Sequence, residues 1–165
     1  MWNSQVIIML LEGIRDTLYM TLASTLFGYI IGLPMGILLT VTDKDGIHPN
    51  AAVYKVLDVI ANLIRSVPFL ILLIVLIPFT RFLIGRSYGP TATIVPLVIA
   101  AAPYIARMVE SSLKEVDAGV IEAARSMGAS NFTIVTKVML VEARTSLIVG
   151  ATISLGTILG YSAMA

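Results

Sequence analysis

Three stretches of this sequence, residues 17–42, 87–106 and 145–165, contain no charged side chain. An α-helix rises 1.5 Å per residue, so about 20 apolar residues cross the roughly 30 Å of hydrocarbon in a bilayer. Each stretch is long enough. A fourth, "SVPFLILLIVLIPFT" at 66–80, reaches spanning length if its helix continues back past Arg65 or on through "RFLIG". The expected fold is therefore an all-α integral membrane protein, a polytopic bundle of four spans.

Composition narrows the function. With 58% hydrophobic and 13% charged residues and a mean hydropathy of +0.94, the chain is too apolar for a soluble domain, and lipid is its first partner. A net charge of +1 provides no basic field, so nucleic acid is not an expected partner. Cysteine is absent and His48 is the single histidine, which leaves no thiolate or multi-histidine metal site and no disulfide framework. An enzyme acting within the bilayer would need a serine with histidine, or paired carboxylates, at membrane depth, and the uncharged runs hold neither. The first basic residue, Arg15, follows the initial apolar residues, an order opposite to that of a secretory signal, so the start reads as mature sequence.

Lys and Arg accumulate on the cytoplasmic side of membrane proteins. Lys44, Lys55, Arg107, Lys114, Arg125, Lys137 and Arg144 fall on one side of the expected spans, against Arg15, Arg81 and Arg86 on the other. This places the N-terminus outside and the loops 43–55 and 107–144 inside. Arg65 then stands where the second span leaves the cytoplasmic face, as an anchor whose stem snorkels to the headgroups. Ahead of it, Val53, Val56, Leu57, Ile60, Leu63 and Ile64 alternate with Lys55, Asp58 and Asn62 at helical spacing, which predicts an amphipathic helix lying along the inner surface.

Glycine and proline mark the spans. Gly28, Gly32 and Gly36 recur every four residues, and Gly156 and Gly160 repeat the device, each predicting a bare helical face for close packing. Pro34, Pro68, Pro78, Pro96 and Pro103 interrupt helical hydrogen bonding inside or at the edges of spans, which a bundle with a water-lined path tolerates.

The longest polar segment is 107–144. Asp117 is placed to cap a helix through "AGVIEAARSM", with Glu122 and Arg125 paired at i, i+3, and Gly128 supplies a left-handed stop. Ser130 is placed to cap a second helix, "NFTIVTKVML", in which Phe132, Val135, Val138 and Met139 share a face. The prediction is a helical hairpin that offers the small Ala123 and Ala124 beside charges. On pattern alone it either rests on the bilayer or receives another protein.

Glu122-Ala123-Ala124, then Gly128, then Val138-Met139-Leu140 resembles the signature loop of permease subunits in binding-protein-dependent ABC importers. "RSVPFLILL", "AAPYIARMVE", "EAARSMGAS" and "LGYSAM" follow in the order and spacing of the methionine-importer branch of that family. The resemblance implies one transmembrane permease domain over 1–165, with a coupling loop at about 108–144 that docks into a cytoplasmic ATP-binding cassette subunit. Glu122, Ala123, Ala124, Arg125, Ser126 and Gly128 are the implied coupling residues. The implied partners are that ATPase, a second permease copy and an extracytoplasmic substrate-binding protein, in a bacterial inner membrane. ATP and Mg belong to the partner, and this chain carries no cofactor. For the substrate path, the inward polar residues of the fourth span are candidates: Ser154, Thr157, Tyr161 and Ser162, with Met164 as an apolar constriction. Val141 stands where the family pattern has proline, so a less bent loop exit is expected. Family members continue into a fifth helix, so the chain is expected to be truncated after the fourth.

Overall fold

The computed structural model describes residues 4–165, and the described residues are helical with no strand. α1 (Ser4–Thr42) is one unbroken helix despite Pro34. It begins 13 residues before the uncharged run, because Glu12, Arg15 and Asp16 limit what lipid will cover without breaking a helix. At 1.5 Å per residue it is about 58 Å long, nearly twice the hydrocarbon thickness. Its first turns leave Val6, Ile7, Leu10 and Leu11 exposed.

α2 (Ala51–Ser66) starts where the Asn50 side chain accepts from the Val53 amide at 3.2 Å. It does not continue into the second span. Pro68 disfavours helical geometry at the residue before it, and Val67 is extended at φ −88°, ψ 124°. The chain turns through 102° into α3 (Phe69–Val75), then passes Leu76 into α4 (Ile77–Ile84), which Gly85 closes at φ 81°. The second crossing is thus segmented, extended on through "RFLI" and broken from Arg65 by the bend. Beyond Gly89, α5 (Pro90–Lys114) opens on a proline, whose missing N–H costs nothing at a helix start. It runs on into the charged segment with Pro96 and Pro103 buried inside it. α1, α5 and α9 (Arg144–Ser162) are long and apolar enough to cross a membrane, and the α2–α3 bent pair adds a fourth candidate.

α5 is the axis of the molecule. Gly28, Gly32 and Gly36 of α1 lie against it: a Cβ on Gly32 would sit 2.7 Å from the Ala102 carbonyl oxygen, and one on Gly36 would sit 2.5 Å from that of Ala106. On α9 the packed face is instead Gly150, Ser154 and Ile158, and a Cβ on Gly156 or Gly160 would meet nothing within 4 Å. Close packing at Gly156 and Gly160 is therefore not found within this chain. Spacing defines a face, and the rotation of α9 about its axis turns this one away from α5.

The amphipathic reading of α2 holds for its two faces but not for where they point. Val53, Val56, Ile60 and Leu63 are exposed, while Asp58 and Asn62 turn inward onto Arg107 of α5. Tyr54 lies beside Lys114 at the charged end of α5, and Arg65 shares a crevice with Ala100 and Tyr104. α2 therefore runs antiparallel along α5, and Arg65 is exposed one helical turn beyond Asn62.

Candidate functional site

The polar hairpin is built by caps. Asp117 Oδ1 accepts from the Gly119 amide at 2.7 Å and opens α6 (Ala118–Ser126). Gly128, at φ 81°, closes it: the Gly128 amide donates to the Arg125 carbonyl at 2.9 Å and the Ala129 amide to the Ala124 carbonyl at 3.1 Å. This bond pair is the Schellman closure that a left-handed glycine permits. Ser130 Oγ accepts from the Thr133 amide at 3.3 Å and starts α7 (Asn131–Thr133). From Ile134 to Met139 the backbone is a π-helix, followed by α8 (Leu140–Glu142) and a single non-helical residue, Ala143, before α9.

That π-turn corrects the expected face. A π-helix bonds i to i+5, so Ile134 and Met139 line up and are buried, whereas Phe132 is 78% exposed. Ile134, Met139, Ala124 and Ala143 join Ile105, Val109 and Leu113 of α5 and Ile158 of α9 in one apolar cluster. The hairpin is fixed to the base of α5 by its own core. Ala124 faces inward at 5% exposure, while Glu122, Ala123, Ser126 and Met127 face out. No Glu122–Arg125 pair forms; Arg125 donates instead to the Ile47 carbonyl at 2.8 Å, in the α1–α2 loop. A backbone carbonyl fixed by that loop offers the guanidinium a partner that an exposed i, i+3 carboxylate, gaining little in water, does not outcompete.

Beside the hairpin lies a charge clasp that the sequence reading missed. Glu110, 5% exposed, accepts from Arg107 and from Lys114, each at 2.7 Å. Arg107 also pairs with Asp58 and bonds Asn62, and Lys114 pairs with Asp43 at 2.7 Å. The Lys114 ammonium holds the Asp43 carboxyl below the usual carboxylate range. A carboxylate this buried needs compensation, and two cations provide it. The available signal was the spacing 107, 110, 114, which puts all three on one face of α5.

The α9 candidates separate. Ser154 and Ser162 are buried and bond carbonyls of their own helix, at Gly150 and Leu159, so neither lines an open path in this chain. The packed face of α9 contains them. Thr157 and Tyr161 lie beside it, Thr157 donating at 3.5 Å to the Tyr104 hydroxyl and Tyr161 stacked on Phe69 with ring centroids 4.8 Å apart. Met164 is 56% exposed.

Residues 8–165 match the family described as "Binding-protein-dependent transport system inner membrane component". The chain belongs to that family. Over 156 residues this inner membrane component is 52% identical to the D-methionine transport system permease protein MetI of Salmonella typhimurium, covering 94% of this chain and 72% of the relative. The MetI of Escherichia coli K12 is similar at the same identity and coverage. A solved chain of the MetNI methionine ABC transporter in an inward-facing conformation superposes with a TM-score of 0.97 at 50% identity, covering 99% of this chain and 76% of that one. The all-helical permease fold implied by the sequence motifs is the fold present.

Proposed function

We propose that this inner membrane component is the permease subunit of an ATP-driven importer of methionine, in the D form, the L form or both. Two copies would form the path, an extracytoplasmic binding protein would deliver substrate, and separate cassette subunits would hold ATP and Mg and perform hydrolysis. The observation that carries this reading is the 52% identity to D-methionine permeases across nearly the whole chain, together with the fold match to a methionine transporter.

The mechanism needs no covalent chemistry here. ATP shifts an equilibrium only as far as it binds one state better than another, so closure of the ATPase pair must be transmitted mechanically. The hairpin suits that task because Ala123 and Ser126 are outward and small enough for close docking, while Ile134 and Met139 tie it to α5. Arg125 orients it through the Ile47 carbonyl, Glu122 is presented outward beside Ala123, and Gly128 sets its turn. By the distribution of Lys and Arg, the hairpin and the clasp face the cytoplasm and the N-terminus faces outside. The test is uptake of radiolabelled methionine by liposomes containing the reconstituted complex. ATP-dependent accumulation is expected, and ATP-dependent uptake of a different solute alone would reassign the substrate. Crosslinkers at Ala123 or Ser126 are expected to capture the ATPase, and no capture in native membranes would remove the coupling role.

A further inference from the structure

Two arginines flank the stop of α4, at the end of the bundle far from the clasp. Ile77 and Thr80 of α4 share a crevice with Ala92 and Pro96, which sets α4 beside the first turns of α5, and Tyr88 of the following loop borders the same crevice. From Pro90 to Arg107 there are 17 residues of α5, about 26 Å, so with the clasp at one boundary of the roughly 30 Å hydrocarbon this loop stands at the other. Arg81 lies in the last turn of α4, Arg86 follows its Gly85 stop, and both are exposed. Among the described residues the ion pairs are 15–16, 44–45, 107–58, 107–110, 114–43 and 114–110, and neither arginine is in any. No Asp or Glu occurs between Asp58 and Glu110, so neighbouring sequence offers no counter-ion. α1 runs parallel to α5, with Gly28 beside Ala101 and Gly36 beside Val109, which brings Asp16 near this level and Glu12 a turn beyond it. The Asp16 carboxylate is taken by Arg15 at 2.9 Å.

The side chains around the two arginines are apolar and open. On α4 only Thr80 is buried; Phe82 is 88% exposed, and Tyr88, past the stop, is 83% exposed. Acyl chains cover phenylalanine and leucine, and the headgroup level favours a tyrosine ring. An arginine in such a setting lays its stem along the apolar surface and carries its guanidinium to the phosphate layer. There a guanidinium grips phosphate oxygens through two parallel charge-assisted hydrogen bonds. An acidic protein surface is the rival occupant. The lipid is favoured because the exposed apolar side chains of α4 continue from Ile77 through Phe79 to Leu83, alongside the first turns of α5, at a depth that a water-borne protein does not reach.

We propose that Arg81 and Arg86, with Phe82 and Tyr88, bind the headgroup of an anionic phospholipid and hold the end of the α3–α4 segment at the bilayer surface. Which leaflet supplies the lipid rests on the orientation proposed above; the contact itself depends neither on that orientation nor on the solute carried. In the complex with its ATPase, reconstituted in nanodiscs, a reporter introduced by Leu83→Trp is expected to be quenched at least twofold more by brominated phosphatidylglycerol than by brominated phosphatidylcholine at equal mole fraction, after subtraction of the reporter-free complex. In that background R81Q/R86Q is expected to abolish the preference without lowering the thermal midpoint, and R81K/R86K, which keeps the charge, to retain it. If the glutamine pair does not assemble, R81Q and R86Q singly carry the test, each expected to lower the preference. Equal quenching by the two lipids would overturn the proposal, as would a preference that survives the glutamine pair or that the lysine pair loses. Absence of quenching by either lipid would place this face in water and overturn it too, and a blue shift of the reporter on adding the binding protein would then assign the face to a protein. Because the readout needs no transport, each of these failures leaves the importer reading standing, and failure of the complex to take up methionine leaves the lipid site standing.

Discussion

At Gly36 a single methyl group has nowhere to go. Its Cβ would lie 2.5 Å from the Ala106 carbonyl oxygen and 2.7 Å from the Val109 Cβ, and a helix backbone yields less than a side-chain tip. Gly36→Ala is expected to destabilise the protein by about 1–3 kcal/mol through overpacking, read as a lower thermal midpoint of the detergent-purified chain. Gly156→Ala is the control, since its Cβ meets open space and alanine is the better helix former by about 1 kcal/mol; its midpoint is expected to hold or rise. A Gly36→Ala midpoint at or above wild type would disprove the close α1–α5 approach. The contrast also shows what glycine spacing carries. Gly28, Gly32 and Gly36 were legible as a face, and so were Gly156 and Gly160, but which face meets a neighbour depends on helix rotation, a tertiary quantity. The same limit applies at Ser154 and Ser162, which a polarity reading grouped with Thr157 and Tyr161 although packing separates them.

Among the elements, the hairpin was the most legible, because caps are local. Asp117, Gly128 and Ser130 each act within a few residues of themselves, and the structure shows the bonds their chemistry allows. The π-turn was not legible, since a search for a 3.6-residue period cannot anticipate the wider turn that brings Ile134 and Met139 together. The direction of α2 was hidden for another reason: periodicity separates two faces, but in a bilayer the apolar one turns outward and the polar one inward, onto Arg107. Gly128→Val forces a β-branched residue to φ 81°, at a cost of about 1–2 kcal/mol or more. Less methionine moved per ATP hydrolysed is expected, with Gly128→Asn, which tolerates that conformation, closer to wild type; wild-type coupling in the valine variant would show the turn to be dispensable. The clasp has a pH signature. Because the folded-state pKa of Asp43 is depressed by Lys114, its contribution is fully present above the ordinary carboxylate pKa near 4 and is lost as pH falls through the lowered value. Thermal midpoints are expected to drop below about pH 4, and Asp43→Asn should show a smaller drop over that window than wild type.

For the molecule as a whole, membrane class and segment order were legible from uncharged runs and motif order, whereas the shape was not. Nothing local states that α5 is the axis, or that Arg107, Glu110 and Lys114 gather Asp43 and Asp58 from elements more than 40 residues distant. The packing divides the chain unevenly. α1, α5, α9 and the hairpin share one core through Ile105, Val109, Ile134, Met139 and Ile158, and Arg125 adds the Ile47 loop to them. α3 and α4 bury Phe69, Leu72 and Thr80, hinge at Val67–Pro68, and touch α9 through the Phe69–Tyr161 stack. Interfaces that repack are drawn from the weakly held end of a structure, so the α3–α9 crevice is where relative movement is expected, and the hairpin, loop and α5 should travel together. Short crosslinks between cysteines introduced at 47 and 125 are therefore expected to leave in place more than half of the methionine uptake shown by the same double variant before crosslinking. The same reagent joining 69 and 161 should arrest uptake, with reversal on reduction of a cleavable linker excluding damage to the fold. Arrest by the 47–125 crosslink, or free uptake with 69–161 joined, would show that the division into a moving pair and a rigid body is drawn in the wrong place.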